Sequence, residues 1–251
     1  MKKIFNILFA LVLVVSLGLV TAAPVLADGT IIYVPGDYPT IQGAINASSD
    51  GDTVMVAPGL YGSVVIDKSL TLKGARAGVD ARTRSGDETT ETIIDPAECH
   101  AEVYVCKICL RWVEVVEDGG DAPMCCGKEM ERIDEIGISI LTAAGRVVVI
   151  DGLTVQNAVH AMSTPAPGLM AANITVKNVR ALNSSEFGIS ITFTARVTVE
   201  YCYVENAETA INAGALVPHD PTLATFRNNE SLTHGLASPG TSKIRLLKAT
   251  W

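Results

Sequence analysis

Aromatic residues are scarce in this 251-residue chain, at 5% of the sequence, and positive charge is also in short supply. The 19 Lys and Arg face 27 Asp and Glu, which gives a net charge of −8. Because phosphate binding calls for a basic surface, this balance disfavours nucleic acid, and we predict no such partner. In place of aromatics the chain is rich in Val, Ile, Thr, Gly and Asn, a composition typical of short β-strands joined by turns.

Paired carboxylates of the kind that hydrolyse or eliminate glycosidic bonds are missing as well. The acidic residues of the second half are sparse, form no Asp-x-Asp motif, and are expected to be solvated surface charges. They are Asp151, Glu186, Glu200, Glu205, Glu208 and Asp220. The sequence therefore favours a protein without catalytic activity, and a polysaccharide lyase or hydrolase is kept as an alternative.

Residues 1–27 have the pattern of a signal peptide. Lys2 and Lys3 precede an apolar run from Ile4 to Val20, and small residues at Val25 and Ala27 fit a cleavage site before Asp28. An uncleaved membrane anchor is the alternative. No later stretch approaches the ~18 apolar residues of a membrane span. We expect export, a secreted or cell-surface location, and membrane contact only during export.

Short apolar runs recur along the rest of the chain at a nearly constant spacing. The runs at residues 148–150, 174–176 and 197–199 are each followed by an asparagine at the same offset, and a fourth asparagine continues the series. These asparagines are Asn157, Asn183, Asn206 and Asn229. A repeat of ~23 residues predicts a solenoid of parallel strands in which equivalent asparagines stack at a turn.

The region ahead of these runs predicts a cap. Ile41, Ala44 and Ile45 share one face of a short helix that would cover the open end of the solenoid. The segments 33–45, 51–61 and 68–74 resemble the opening of right-handed parallel β-helix proteins of the pectate-lyase-like superfamily. That resemblance implies an all-β solenoid with an N-terminal capping helix, and polysaccharide or cell-surface glycan as partner.

Four cysteines stand close together in a segment of different composition. Cys106 and Cys109 form a C-x-x-C turn, and the adjacent Cys125 and Cys126 follow sixteen residues later. Four thiolates at this spacing predict one tetrahedral ion, either zinc or a mononuclear iron, while two disulfides are the alternative. The remaining cysteines are Cys99 and Cys202, and for Cys202 we favour a buried thiol over a bridge.

Residues 103–130 resemble desulforedoxin and the N-terminal domain of desulfoferrodoxin, including the adjacent cysteine pair. The resemblance implies one iron on the four thiolates, with zinc able to replace it, and a pairing of two chains through the segment. Leu110 stands where the family usually has Gly, which puts the redox tuning of the knuckle in question. Superoxide reduction in desulfoferrodoxins belongs to a second domain that holds iron on four histidines and one cysteine. It is not expected here, because His100, His160, His219 and His234 are scattered and lack the pattern of that domain.

Together these patterns divide the chain into a signal peptide at 1–27, solenoid at 28–95, a rubredoxin-like metal-binding insert at 96–134, and further solenoid at 135–251. The favoured function is an exported glycan-interaction or surface module that carries a tetrathiolate iron or zinc. An electron-transfer protein that uses the same iron centre is the second hypothesis.

Overall fold

The computed structural model describes residues 29–98, 102–109, 111–115, 121–133, 135–142, 145–158, 160–163, 172–194, 196–215, 224–232 and 244–246. The predictions for residues 1–27, Cys99, His100, Leu110, His219, Asp220 and His234 lie outside these ranges. The described part is mostly β-structure with few helices, and its large sheets are parallel. None of its helices is both long and apolar enough to cross a membrane.

Three parallel sheets contain most of the strands. In spatial order, the first sheet holds β1 (Ile31–Val34), β2 (Thr53–Val56), β5 (Leu70–Lys73), β13 (Val147–Asp151), β16 (Asn173–Lys177), β19 (Arg196–Glu200) and β22 (Ala224–Arg227). The second holds β3 (Gly59–Tyr61), β6 (Thr92–Ile94), β14 (Thr154–Gln156), β17 (Arg180–Leu182), β20 (Tyr203–Glu205) and β23 (Glu230–Leu232). The third holds β4 (Val64–Ile66), β12 (Ile136–Ile140), β15 (His160–Ser163), β18 (Phe187–Thr194), β21 (Thr209–Ala215) and β24 (Ile244–Leu246).

The chain visits these sheets in a fixed order. From β2 onward it places one strand in the first sheet, the next in the second and the next in the third, and then returns to the first. Each strand pairs in parallel with its equivalent in the following circuit, as Val148 does with Ile174 and Ile174 with Val197. The pairings at these three residues have the spacing predicted from the sequence.

The core of the scaffold lies between the sheets, and it is built from aliphatic residues in register. Along the first sheet, alternate residues point inward and are completely buried, while their neighbours face outward. One inward column consists of Val54, Leu72, Ile150, Val176 and Val199. Burial of each such side chain stabilises the fold by about 1.5–3 kcal/mol, which explains how a chain poor in aromatics builds a core.

Asparagines form the corner between the second and third sheets. Asn157, Asn183 and Asn206 all have a positive φ of 54° to 55°, a conformation that Asn adopts more readily than other non-glycine residues. The side-chain nitrogen of Asn206 donates to Oδ1 of Asn183 over 2.9 Å. The three asparagines thus occupy equivalent turns, as predicted, and Asn183 and Asn206 form the expected side-chain hydrogen bond. Asn157 instead donates to Oδ2 of Asp95 at 2.7 Å.

The prediction that Asn229 is the fourth member of the stack is wrong. Val197 pairs with Ala224, so the last repeat is longer by four residues than the spacing of 23 assumed, and Asn229 is equivalent to Cys202. Its side chain accepts from the backbone nitrogen of Cys202 at 3.0 Å and donates to the Val199 carbonyl at 2.9 Å. Because the prediction assumed a repeat of constant length, the four additional residues of the last repeat led to the wrong equivalence for Asn229.

Residues 74–91 run across the corner between the first and second sheets. Arg84 lies inside this crossing, where it pairs with the fully buried Glu91 at 3.3 Å and donates to the Leu153 carbonyl at 2.9 Å. Burial lowers the pKa of the Arg84 guanidinium to about 10, although Glu91 opposes that shift. Gly152 is required beneath the segment, because a Cβ there would lie 2.0 Å from the Ala77 nitrogen and its φ is +75°.

Asp151 corrects another expectation. It is only 4% exposed, not a solvated surface charge, and it accepts hydrogen bonds from Asn178 at 2.7 Å and from the Gly78 nitrogen at 3.0 Å. The sequence around Asp151 does not indicate that residues 74–91, which are distant in the chain, will cover its carboxylate. Asp151 thus belongs to the framework that attaches residues 74–91 to the sheets.

The predicted capping helix is present as α1 (Ile41–Ala47), and its buried residues are Ile41, Ala44 and Ile45, as expected. Thr40 caps its start by accepting from the Gly43 nitrogen at 3.1 Å. Gln42 closes the outer edge of β4, because its side chain accepts from the Val65 nitrogen at 2.8 Å and donates to the Val65 carbonyl at 3.2 Å. Such cover protects an edge strand from pairing with other chains.

Candidate metal centre

A small antiparallel unit leaves the scaffold after β6 and rejoins it at β12. Its three-stranded sheet consists of β7 (Glu102–Val105), β8 (Trp112–Val115) and β11 (Glu131–Arg132), with β7 in the middle. A two-stranded hairpin, β9 (Met124–Cys125) and β10 (Lys128–Glu129), completes it. We call residues 102–133 the insert.

An apolar contact and a hydrogen bond join the insert to the scaffold. Val65 on β4 packs in one buried cluster with Val103 and Val105 of β7. The indole nitrogen of Trp112, on the edge of that cluster, donates to Oδ2 of Asp67 at 3.2 Å. This contact fixes how the insert meets the strands of the scaffold.

The first cysteine pair lies at the end of β7. Residues 107–109 form a turn, and the Cys106 nitrogen donates to the Arg111 carbonyl at 2.9 Å, which closes the turn. Hydrogen bonds from the backbone N–H groups of Cys109 and Ile108 lower the pKa of the Cys106 thiol to about 6. Donors aimed at the sulfur favour its thiolate form, which is the form that binds metals.

The second pair lies at the tip of the β9–β10 hairpin. Cys125 pairs with Lys128, so Cys126 and Gly127 are the two central residues of a tight turn, with φ values of 51° and 75°. Positive φ at both positions is the signature of a type I′ hairpin turn. The turn brings the sulfurs of the two adjacent cysteines to the same side. In an extended strand, adjacent side chains would point to opposite faces.

The geometry of the four sulfurs fits a tetrahedral metal ion. The Sγ atoms of Cys106, Cys109, Cys125 and Cys126 all lie within 4.8 Å of one another. Metal–sulfur bonds of ~2.3 Å in a tetrahedron place the sulfurs ~3.8 Å apart. The Cys109–Cys125 and Cys125–Cys126 separations are 3.5 Å and 3.9 Å, on either side of that value.

The disulfide alternative does not match this arrangement. All four cysteines are free thiols, and the Cys109–Cys125 distance of 3.5 Å is far beyond the ~2.05 Å of an S–S bond. The insert therefore contains a cysteine-ligated metal site.

The electrostatics of the cluster also call for a cation. Hydrogen bonds with Cys109 and Cys106 raise the pKa of Cys125 to about 12, and the contact with Cys109 raises that of Cys126. Neighbouring thiols cannot all lose their protons without a compensating charge, because each thiolate disfavours the next. A bound metal ion supplies that charge and permits four thiolates in one place.

Cys106 is buried and Cys125 half-buried, whereas Cys109 and Cys126 are exposed. The side chains of Ile108 and Met124 beside them are 56% and 65% exposed. One edge of the site thus faces solvent, next to two exposed apolar side chains.

Some contributors to the site were not predicted. The Ile108 amide contributes through the backbone turn, and Asp67 contributes through its hydrogen bond with Trp112, 45 residues distant in sequence. No sequence pattern predicts either contribution. Cys202, predicted as a buried thiol, is completely buried and lies away from the cluster, between β19 and β20. His160 contacts Glu186 at 3.0 Å on the scaffold.

Comparison with known protein families agrees with this geometry. The family model for the desulfoferrodoxin N-terminal domain matches residues 99–133, a small part of the chain that contains all four cysteines. The insert is thus similar to that domain, in sequence and in its cluster of thiols. No curated protein and no solved structure matches the chain.

Proposed function

We propose that this protein is an exported right-handed parallel β-helix of the pectate-lyase-like type. In this proposal it acts at the cell surface or outside the cell as a glycan-interaction module and holds one iron ion on Cys106, Cys109, Cys125 and Cys126. The observation that carries the proposal is a desulfoferrodoxin-like thiol cluster placed within a regular stack of parallel strands.

The β-helix part is supported by the order of the strands, since each circuit adds one strand to each of three parallel sheets. Export is supported by the signal-peptide pattern of residues 1–27. Secretion of the full chain by a bacterial host, followed by N-terminal sequencing, tests both the export and the cleavage before Asp28. Retention of the leader in the membrane fraction would contradict this part.

Iron is favoured over zinc because the matching family model describes a desulfoferrodoxin domain and the four sulfurs fit a tetrathiolate ion. Elemental analysis and an absorption spectrum of the purified full chain are the test. We expect one iron per chain and a visible ferric-thiolate band that bleaches on reduction. A colourless protein with one zinc would contradict iron and leave the four-thiolate site intact.

A glycan role is supported by the outward face of the first sheet. Threonines on five strands face outward at equivalent positions, with a single Val149 interrupting them. They are Thr53, Thr71, Thr175, Thr198 and Thr225. Strands ~4.8 Å apart thus offer regularly spaced hydroxyl groups, which suit the hydroxyls of a polysaccharide. Binding to immobilised polysaccharides tests this role.

A non-enzymatic role is supported by the way the acidic residues are engaged. Asp151 binds Lys177, Glu186 contacts His160, and Glu200 lies 3.7 Å from Arg227. Carboxylates held in such contacts are not poised as an acid–base pair. Incubation with acidic and neutral polysaccharides should release neither reducing ends nor unsaturated products. Activity that disappears when one carboxylate is replaced would establish the enzyme alternative.

Electron transfer is a second candidate, and the exposed edge of the metal site favours it. Cys109 and Cys126 reach the surface beside the exposed side chains of Ile108 and Met124. Electron exchange requires such close approach of a partner to a metal ligand. Reversible reduction of the iron by a small electron donor, measured by loss of the visible band, is the expected result for this candidate.

A further inference from the structure

A cleft of about 580 Å³ lies where the scaffold, its capping helix and the insert meet. One wall is α1 with the residues just before it, a second is the connection from β3 to β4, and the third carries Glu98 and Glu114. Glu114 is on β8 of the insert, so two parts of the molecule build the cleft together. Its size is that of a small-molecule site.

Among the described residues, the charge of the cleft lining is negative. Glu98 and Glu114 are the charged residues of this described lining, both are exposed, and it contains no Lys, Arg or His. Within the described part of the chain, neither carboxylate has a hydrogen-bond or ion-pair partner. An anionic ligand such as a uronate would be repelled here, whereas a protonated amine would be attracted.

The opposite walls offer hydrogen bonds to hydroxyl groups. Gly59 donates to the Glu91 carbonyl at 2.9 Å, and Asp95 donates to the Tyr61 carbonyl at 2.8 Å. In a parallel ladder this pattern turns the N–H and C=O of the intervening Leu60 toward the free edge of the second sheet, where Leu60 lines the cleft. A donor and an acceptor side by side are what a vicinal pair of hydroxyls can bind.

Tyr61 and Asn46 complete the lining. Tyr61 is half-buried, and its hydroxyl is held by the Ala57 carbonyl at 3.2 Å, so its ring is fixed in the cleft wall. Asn46 accepts from Gln42 through Oδ1 at 3.0 Å, an arrangement that leaves its amide N–H groups for a ligand. A fixed aromatic ring beside amide donors suits the face and the edge of a sugar.

We propose that this cleft binds a protonated amino-sugar unit of a glycan, with the amine between Glu98 and Glu114 and the hydroxyls on Leu60 and Asn46. The inference rests on the proposed glycan role and specifies it: the preferred glycan is cationic, not a polyuronate. Because the insert contributes Glu114, the same metal-containing unit that binds iron also shapes the sugar site.

The test is calorimetric titration of the full, metal-loaded chain with three disaccharides: β-1,4-linked glucosamine, its N,N′-diacetylated form, and digalacturonate. We expect the glucosamine disaccharide to bind, about tenfold tighter than the acetylated form, and digalacturonate not to bind. E98Q and E114Q should each weaken glucosamine binding about tenfold, and the double variant more. E88Q, which removes an exposed carboxylate outside the cleft, is the matched control and should bind as the parent does.

Equal metal content and thermal transitions in all variants establish that only the cleft has changed. Binding that is unaffected by E98Q and E114Q, or a preference for the acetylated or acidic disaccharide, overturns the amino-sugar inference. In that case the glycan role still stands, because a glycan is bound elsewhere or with other selectivity. Failure to bind any of the three disaccharides overturns the amino-sugar inference, whereas failure to bind the immobilised polysaccharides overturns the glycan role itself.

Discussion

Cysteine serves opposite purposes in the scaffold and in the insert. In the scaffold, Cys202 is completely buried, and burial raises the pKa of its thiol to about 12, so that it behaves as a small apolar side chain. In the insert, amide N–H groups lower the pKa of Cys106 to about 6, and three more thiols lie within 4.8 Å. The scaffold is held by apolar columns, whereas the insert is held around a site for a metal.

The difference follows from the size of each core. The scaffold has one large buried cluster that extends from β1 to the later circuits. The insert has two small clusters, and the larger of these includes Val65, Ile136 and Leu141 of the scaffold. A unit with so little core of its own needs a metal or a larger neighbour to stay folded. The insert uses both.

Removal of a ligand should separate the two regions most clearly. In C106S the site loses its buried ligand, and we expect the metal content to fall from one ion per chain to below about 0.1, since tetrathiolate sites gain about 10–16 kcal/mol from the metal. The β-sheet circular dichroism and the main thermal transition of the scaffold should remain. C202A is the matched control, because it should keep the metal and lower the scaffold transition instead.

Breaking the buried ion pair between Arg84 and Glu91 should destabilise the scaffold and leave metal binding by the insert unchanged. E91Q leaves the charge of Arg84, whose side chain is 1% exposed, without its partner. We expect the scaffold to lose about 3–5 kcal/mol of unfolding free energy, measured by urea denaturation, with full metal content. E88Q, an exposed neighbour in the same segment, should change stability by less than about 0.5 kcal/mol. A scaffold as stable as the parent would show that the Arg84–Glu91 ion pair does not stabilise it.

Alkaline pH should weaken the scaffold through Cys202. Its folded-state pKa is raised to about 12 from a value near 9 in the unfolded chain, so the unfolded state releases its proton first as the pH rises. The stabilisation is fully present below pH 9 and is lost between pH 9 and 12, at up to about 1.4 kcal/mol per pH unit. Urea midpoints of the parent and C202A across this range give the contribution by difference. If the urea midpoints of the parent and C202A change with pH in the same way, the predicted contribution of Cys202 is contradicted.

The junction between the regions should show the smallest effect. W112F removes the hydrogen bond to Asp67 and keeps most of the apolar contact with the cluster at Val65. We expect a loss of about 1 kcal/mol in the docking of the insert, seen as faster hydrogen exchange in β7 and β8. Metal content and scaffold stability should be unchanged. Equal exchange rates in W112F and the parent would assign the docking to the apolar contact alone.

Local patterns predicted much of both regions. The strands at residues 53–56, 64–66 and 70–72 and the helix face of Ile41, Ala44 and Ile45 follow from apolar periodicity, which is a property of neighbouring residues. The four cysteines likewise stood out by spacing alone. Asn229 was misplaced because the longer last repeat breaks a count that assumes constant length.

The amino-acid sequence by itself determined where strands form, which side chains face inward and which four thiols could hold a metal, because each depends on short-range spacing. Only the tertiary structure decided that Asp151 is buried beneath residues 74–91, that Glu91 is buried beside Arg84, and that Trp112 meets Asp67. It also decided that Glu114 joins α1 and Leu60 in one cleft. These are contacts between segments distant in the chain, and they exist only once packing has fixed which surfaces meet.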